Sequence, residues 1–220
     1  MAKLRLLFVK EEQASYMSHL DLMRTFQRVF PRGGLSLRHS QGFHPHPLIS
    51  IVLPLPVGQS SVCELLDFET EGDAGTVDVA DRLNAGLPAG LRVRECYGAG
   101  RGARELKFLR ARLALDYDRG VPAGVADALR ELFARDEVLV EKRTKHKELA
   151  QINVVPLLRS AEWTEEDGRV TGEVVAAAQN PGLNPALLGG AVSTYLPEMR
   201  PDFVRVRRLE LYDAEMGVFR

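Results

Sequence analysis

The chain has 220 residues, 45% hydrophobic and 27% charged, which is the balance of a folded globular protein rather than a disordered or fibrous one. Its 29 Lys and Arg against 30 Asp and Glu leave a net charge of −1, which excludes a general attraction to polyanions and confines any such site to a local patch. Two cysteines exclude a disulfide framework, and no apolar run approaches the roughly 20 residues that a membrane helix needs.

The first half opens on LRLLFVK (4–10), a short apolar run of strand character. SHLDLMRTFQRVF (18–30) follows, with Leu20, Met23, Phe26, Val29 and Phe30 at helical spacing and Ser18 placed to cap the start. Its opposite face carries Asp21, Arg24 and Arg28, and the ProArgGlyGly segment at 31–34 is expected to stop the helix. An extended piece at 35–40 leads to GFHPHPLIS (42–50). LISIVLPLP (48–56) and SVCELLDFET (61–70) read as hairpin strands, and a helix near 76–86 and a strand at 91–97 complete the half. The order strand, helix, strand, strand, helix, strand is that of a ferredoxin-like βαββαβ domain over residues 1–98.

GAGRGARE (98–105) is glycine-rich and reads as a linker at 99–105. The second domain, 106–220, is expected to repeat the order. It has a strand at 106–118, a helix near 122–135, strand pieces at 137–144, 149–158 and 169–177, a helix from Asn184 to about Leu196, and a closing strand at 203–213. The fold class is therefore α+β, two tandem ferredoxin-like domains with antiparallel sheets.

Charge is uneven. Residues 1–50 hold seven Lys and Arg, three acids and four histidines, whereas residues 51–100 hold three Arg and eight acids. KRTKHK (142–147) forms a second basic neighbourhood. Arg24 and Arg28 stand one helical turn apart, so both guanidinium groups share a face and each could hold a phosphate. The candidate RNA-binding set is thus Arg24, Arg28, His46, Lys142, Arg143, Lys145 and Lys147. Phe43 with His44 and His46 could stack on unpaired bases, although Phe43 taken alone reads as core. Alternating His44 and His46 could also converge on a metal, but no Cys or Glu lies at a recognised zinc spacing, so no metal is expected. His19, Asp21 and His46 are the catalytic candidates for acid–base work on a phosphodiester. The plainest alternative is a stiff connector, with Gly42 turning the chain and Pro45 and Pro47 holding it extended.

YMSHLDLMRTFQRVF (16–30), GFHPHPLIS (42–50) and LPLPVGQSSVCELLDFE (53–69) together resemble the radical SAM-linked protein family, DUF2344. The matching positions are Ser18, His19, Leu20, Asp21 and Arg24; Gly42, Phe43, Pro45, His46, Pro47 and Ser50; then Pro54, Leu55, Pro56, Gly58, Ser61 and Glu64. The match is dense over the first 90 residues or so and looser afterwards. Family members commonly carry Asn where this chain has His44, and an arginine-rich stretch where it has FPRGG, so His46 is the better candidate of the two histidines.

The resemblance implies a separate radical SAM protein as partner. That partner would carry the 4Fe-4S cluster and S-adenosylmethionine, because this chain lacks the CxxxCxxC cluster. Residues and resemblance together lead to the expectation of a cytoplasmic partner protein without catalytic activity of its own. It would bind RNA (tRNA or rRNA) or present a substrate, with no DNA specificity and no membrane attachment. The alternatives are a metal-independent endoribonuclease resembling the CRISPR repeat-processing nucleases, and a protein-only adaptor.

Overall fold

The computed structural model describes residues 3–72, 75–143 and 149–220, with Arg143 described by its backbone alone. The chain is a mixed α+β protein with largely antiparallel sheets and few helices. It divides into two compact units, Met1–Glu105 with Val218–Arg220, and Leu106–Gly217. Among the described residues no helix is long and apolar enough to cross a membrane.

In the first unit β1 (Leu4–Lys10), α1 (His19–Arg32), β2 (Ile49–Ile51), β3 (Ser60–Phe68), α2 (Val79–Asn84) and β4 (Leu91–Gly98) follow in chain order. β1 pairs antiparallel with β3 and with β4, and β2 pairs antiparallel with β3, giving the order β4-β1-β3-β2. Every residue of β1 is buried. Period-2 alternation sends Leu4, Leu6 and Phe8 into one core with Leu22, Phe26, Val29 and Phe30 of α1 and with Leu66 and Phe68 of β3. Edge-on packing of Phe8 against Phe26 at 5.0 Å and tilted packing of Phe30 against Phe68 at 4.7 Å hold α1 on the sheet. Arg82 of α2 donates to the carbonyls of Gly33 and Gly34 at 2.7 and 2.8 Å, satisfying the end of α1.

The other face of β1 carries a charge inside an apolar strand. Arg5 lies opposite Asp67 in the β1–β3 register and is fully buried. Its Nε and Nη2 donate to the two Asp67 oxygens at 2.6 and 3.1 Å, and Nη2 also donates to the Arg101 carbonyl at 2.8 Å. Lys3 adds a second cation, 2.7 Å from Asp67 Oδ2. Phe219 is buried against this cluster, with the guanidinium groups of Arg5 and Arg101 at 5.0 and 5.1 Å from its ring centre. Residues 99–105, expected as a linker, group with the first unit through these contacts and form a short 3-10 turn at Ala103–Glu105.

Several expected elements shorten for identifiable reasons. Pro31 stands inside the last turn of α1 rather than ending it, and Gly33 is the cap. Pro54 and Pro56 lack N–H donors, so the strand expected over 48–56 reduces to Ile49–Ile51. The helix expected over 76–86 is α2 alone.

The second unit contains β5 (Phe108–Asp116), α3 (Val125–Phe133), β6 (Leu139–Arg143), β7 (Leu149–Asn153), β8 (Leu158–Glu166), β9 (Arg169–Ala177), α4 (Leu187–Tyr195) and β10 (Phe203–Tyr212). Its main sheet runs β10-β5-β9-β8, all antiparallel. Among the described residues β6 and β7 pair only with each other, as a separate two-stranded sheet. The pieces expected at 137–144 and 149–158 correspond to β6 and β7, apart from the main sheet, where β8 is the partner of β9. Asp167 and Gly168, with φ of 51° and 68°, close the β8–β9 hairpin in the two-residue turn that suits strand twist. Trp163 of β8 is buried, stacks on Phe133 at 5.6 Å and lies over Gly172, its cross-strand partner. A Cβ at position 172 would sit 2.3 Å from the indole ring.

Gly172→Ala is expected to cost about 1–3 kcal/mol by overpacking this contact, read as a lowered urea midpoint. A change below 0.5 kcal/mol by the same measure, about the size of an ordinary surface substitution, would mean that the indole moves freely. A second expectation concerns acid. Burial works to raise the Asp67 carboxyl, but the hydrogen bonds and charges of Arg5 and Lys3 outweigh it and hold the group below the ordinary carboxylate range. Its stabilising contribution is therefore complete above the unfolded value of about 4 and disappears as pH falls through the lower folded value. Urea midpoints measured from pH 7 to pH 2 should fall over that acid window, and Asp67→Asn, though less stable throughout, should show a shallower fall. Equal acid slopes in the two proteins would remove Asp67 from the account.

Candidate nucleic-acid interface

The GFHPHP segment forms a loop with a built base. Leu48 N–H donates to the Arg38 carbonyl at 2.7 Å, Ser40 N–H donates to the His46 carbonyl at 2.8 Å, and His39 bridges Pro47 antiparallel. Ser40 Oγ accepts the His46 backbone N–H at 3.1 Å and lies 2.8 Å from His46 Nδ1. A hydroxyl proton directed at Nδ1 puts the neutral ring's own proton on Nε2, which can then donate outward. Pro45 and Pro47 restrict the backbone on both sides of His46, and Gly42 adopts φ of +130°, a conformation that side-chain-bearing residues rarely take. The loop is held at its neck by one serine and stiffened by its prolines.

Its tip corrects one sequence reading. Phe43 is not core; it is 102% exposed, as free of neighbours as an isolated residue. Its neighbours Gln41, His44 and Pro45 are also exposed. The physical reason is that residues 41–45 lie outside any strand, so no sheet face is available to cover the ring. Residues 41–44 form a bend, and His44 and His46 are both exposed. Among the described residues, no three His, Cys, Asp or Glu side chains gather as metal ligands.

Beneath the loop, His46 lines a cleft of about 210 Å³ together with Lys3, Ser50, Asp67 and Glu69. Asp67 is held ionised by Arg5 and Lys3, and Glu69 accepts from Arg38 at 2.8 Å. Both carboxylates are thereby tied to cations, which suits them to recognition by hydrogen bonding and leaves Asp67 poorly suited to carry protons near neutral pH. Sequence reading missed Lys3, Ser40, Asp67 and Glu69. One signal was available: Arg5 and Asp67 each interrupt an apolar strand, and a buried charge requires an opposite partner.

The helix residues divide. Ser18 Oγ accepts the Asp21 backbone N–H at 3.2 Å and donates to the Asp21 carboxylate at 2.7 Å, so Asp21 belongs to the helix start. Arg24 pairs with Asp21 at 3.5 Å, an exposed pair that water and salt easily open. Arg24 and Arg28 are both exposed on the solvent face of α1. At about 100° per residue, His19 points some 160° away from Asp21 around the helix axis. Among the described residues no hydrogen bond or ion pair joins His46 to His19, Asp21 or Arg24. Lys142 is exposed on β6, and Arg143 pairs through its backbone with Leu149. Lys145 and Lys147 lie outside the described residues.

Three comparisons with known proteins bear on this geometry. The model of a family described as an uncharacterized protein conserved in bacteria (DUF2344) matches residues 3–185. No curated protein matches the chain. Among solved structures it is similar to a chain of the "Crystal Structure of a Cbf5-Nop10-Gar1 Complex", with 14% identity and a TM-score of 0.49 over 94% of this chain and 48% of that one. It therefore spans about half the length of that protein. A weaker likeness, with 11% identity and a TM-score of 0.28, is to the "Crystal Structure of an Unknown Protein from Galdieria sulphuraria", covering 97% of this chain and 98% of that one.

Ser40→Ala should speed amide hydrogen exchange at His46, whose N–H loses the Ser40 hydroxyl acceptor, while global stability changes by less than about 0.5 kcal/mol. Unchanged exchange at His46 would show that the prolines alone hold the loop.

Proposed function

This chain belongs to the DUF2344 family, and we propose that it is a non-catalytic, RNA-binding or substrate-presenting partner of a separate radical SAM enzyme in the cytoplasm. The observation that carries the RNA reading is the loop at 40–46, a stiffened neck presenting a bare phenylalanine and two exposed histidines. A positioned aromatic and neighbouring cations are the two parts that single-strand binders combine. Arg24 and Arg28 supply paired guanidinium groups for phosphates, and Lys142, Arg143, Lys145 and Lys147 would add a second cationic edge.

The antiparallel orders β4-β1-β3-β2 and β10-β5-β9-β8 support reading each half as ferredoxin-like, the second with the β6–β7 hairpin inserted. The link to a radical SAM enzyme rests on the motif resemblance alone. In that arrangement the partner's cluster and S-adenosylmethionine would perform the chemistry. This chain's two cysteines, Cys63 and Cys96, are too few to hold such a cluster. Its own residues would hold a tRNA or rRNA segment by its phosphates. The separation of His19 and Asp21 around α1 weighs against the endoribonuclease alternative.

Purified protein should bind tRNA or rRNA fragments with an affinity that falls steeply with salt. Arg24→Ala with Arg28→Ala should weaken binding across sequences and reduce the salt slope by about 2, one unit for each lost phosphate contact. Salt-insensitive or absent binding would remove the RNA reading. Cleavage of RNA in EDTA, abolished by His46→Ala, would instead install the nuclease.

A further inference from the structure

We propose that Phe43 is a stacking finger for a single unpaired base, so that the RNA recognised by this chain is single-stranded where it meets the 40–46 loop. The inference rests on the RNA reading and adds the conformation of the ligand and the residue that selects it.

Phe43 is 102% exposed, and a bare phenyl ring on a protein surface needs an explanation in terms of what covers it when the protein works. Two features favour a base over a protein pocket. First, the ring is isolated: Gln41, Gly42, His44, Pro45 and His46 around it are exposed, and none is a large apolar side chain. A protein-docking surface is a contiguous apolar patch, whereas a stacking contact needs only one aromatic plane, here in polar surroundings. Second, the loop is pre-ordered. The Ser40–His46 contacts close its neck, and the prolines at 45 and 47 remove backbone freedom, so little further entropy is lost when a flat ligand settles on the ring.

The geometry also selects against duplexes. Bases inside an A-form helix have both faces occupied by their neighbours, so the ring could meet one only by unstacking it, a cost an unpaired base does not carry. An unpaired base offers a free face, and every base has one, so the contact is tolerant of sequence. His46 Nε2 and the cleft beneath it lie three residues along the same loop, where polar edges of the nucleotide can be met by hydrogen bonds.

The test uses the full chain with two probes: a 12-nucleotide single-stranded RNA containing one 2-aminopurine, and a blunt hairpin duplex of equal length. Phe43→Ala should weaken single-strand binding roughly ten- to a hundredfold and abolish the quenching of 2-aminopurine fluorescence, with duplex binding unchanged. Phe43→Leu, apolar but not aromatic, should behave like Phe43→Ala, and Phe43→Trp should retain full affinity. Because the ring touches nothing in the fold, all three variants should keep the wild-type thermal midpoint. Salt-dependent wild-type binding that Phe43→Ala leaves intact would overturn the stacking role and spare the RNA reading. Full affinity in Phe43→Leu would overturn stacking in favour of a hydrophobic contact. Absence of binding to either probe by the wild type would overturn the RNA reading itself, and the inference with it.

Discussion

The first unit is organised by one buried ion pair, Arg5 with Asp67. Removing both charges from water is expensive, and the cost is offset only because two Arg5 nitrogens meet two Asp67 oxygens with Lys3 beside them. A slip of one residue between β1 and β3 would leave both charges unpaired in an apolar sheet, so the pair specifies register as well as holding it. The same register sets Asp67 beside Lys3 and the strand leading out of the GFHPHP loop, which creates the cleft under His46. Phe219 then covers the Arg5 guanidinium, joining the last residues of the chain to the first strand.

On that frame the candidate interface is made of parts with different mechanical roles. The cleft is rigid because strands and ion pairs line it. The loop is stiff for a local reason, since its neck is stapled through Ser40 and its backbone is limited by two prolines. On the basic face of α1, Arg24 is paired with Asp21 in an exposed contact that water and salt easily open. Recognition by such a surface would combine an aromatic carried on a restrained loop with adjustable cations.

Much of the fold was legible in the sequence because its local signals are strong. The period of Leu20, Met23, Phe26, Val29 and Phe30 against Asp21, Arg24 and Arg28 identified α1, and Ser18 marked its start, but the structure buries Leu22 and leaves Leu20 exposed. Element boundaries were less legible, because proline and glycine act through hydrogen bonds that depend on neighbours: Pro31 is tolerated in a last turn, whereas Pro54 and Pro56 end a strand. β8 was missed although Asp167–Gly168 marked its hairpin, and the strands read at 137–144 and 149–158 correspond instead to β6 and β7 of a separate hairpin.

The sequence by itself determined which residues are charged, stiff or apolar along each element, and so the α+β class, the α1 arginine face and the prolines that bracket His46. Only the tertiary structure decided that Asp67, sixty-two residues from Arg5, would be its partner, that Ser40 would grip His46, and that Phe43 would have no cover. The physical reason is that exposure and pairing belong to the spaces between elements. A phenylalanine is core only where some other surface arrives to bury it, and no periodicity along the chain records that arrival.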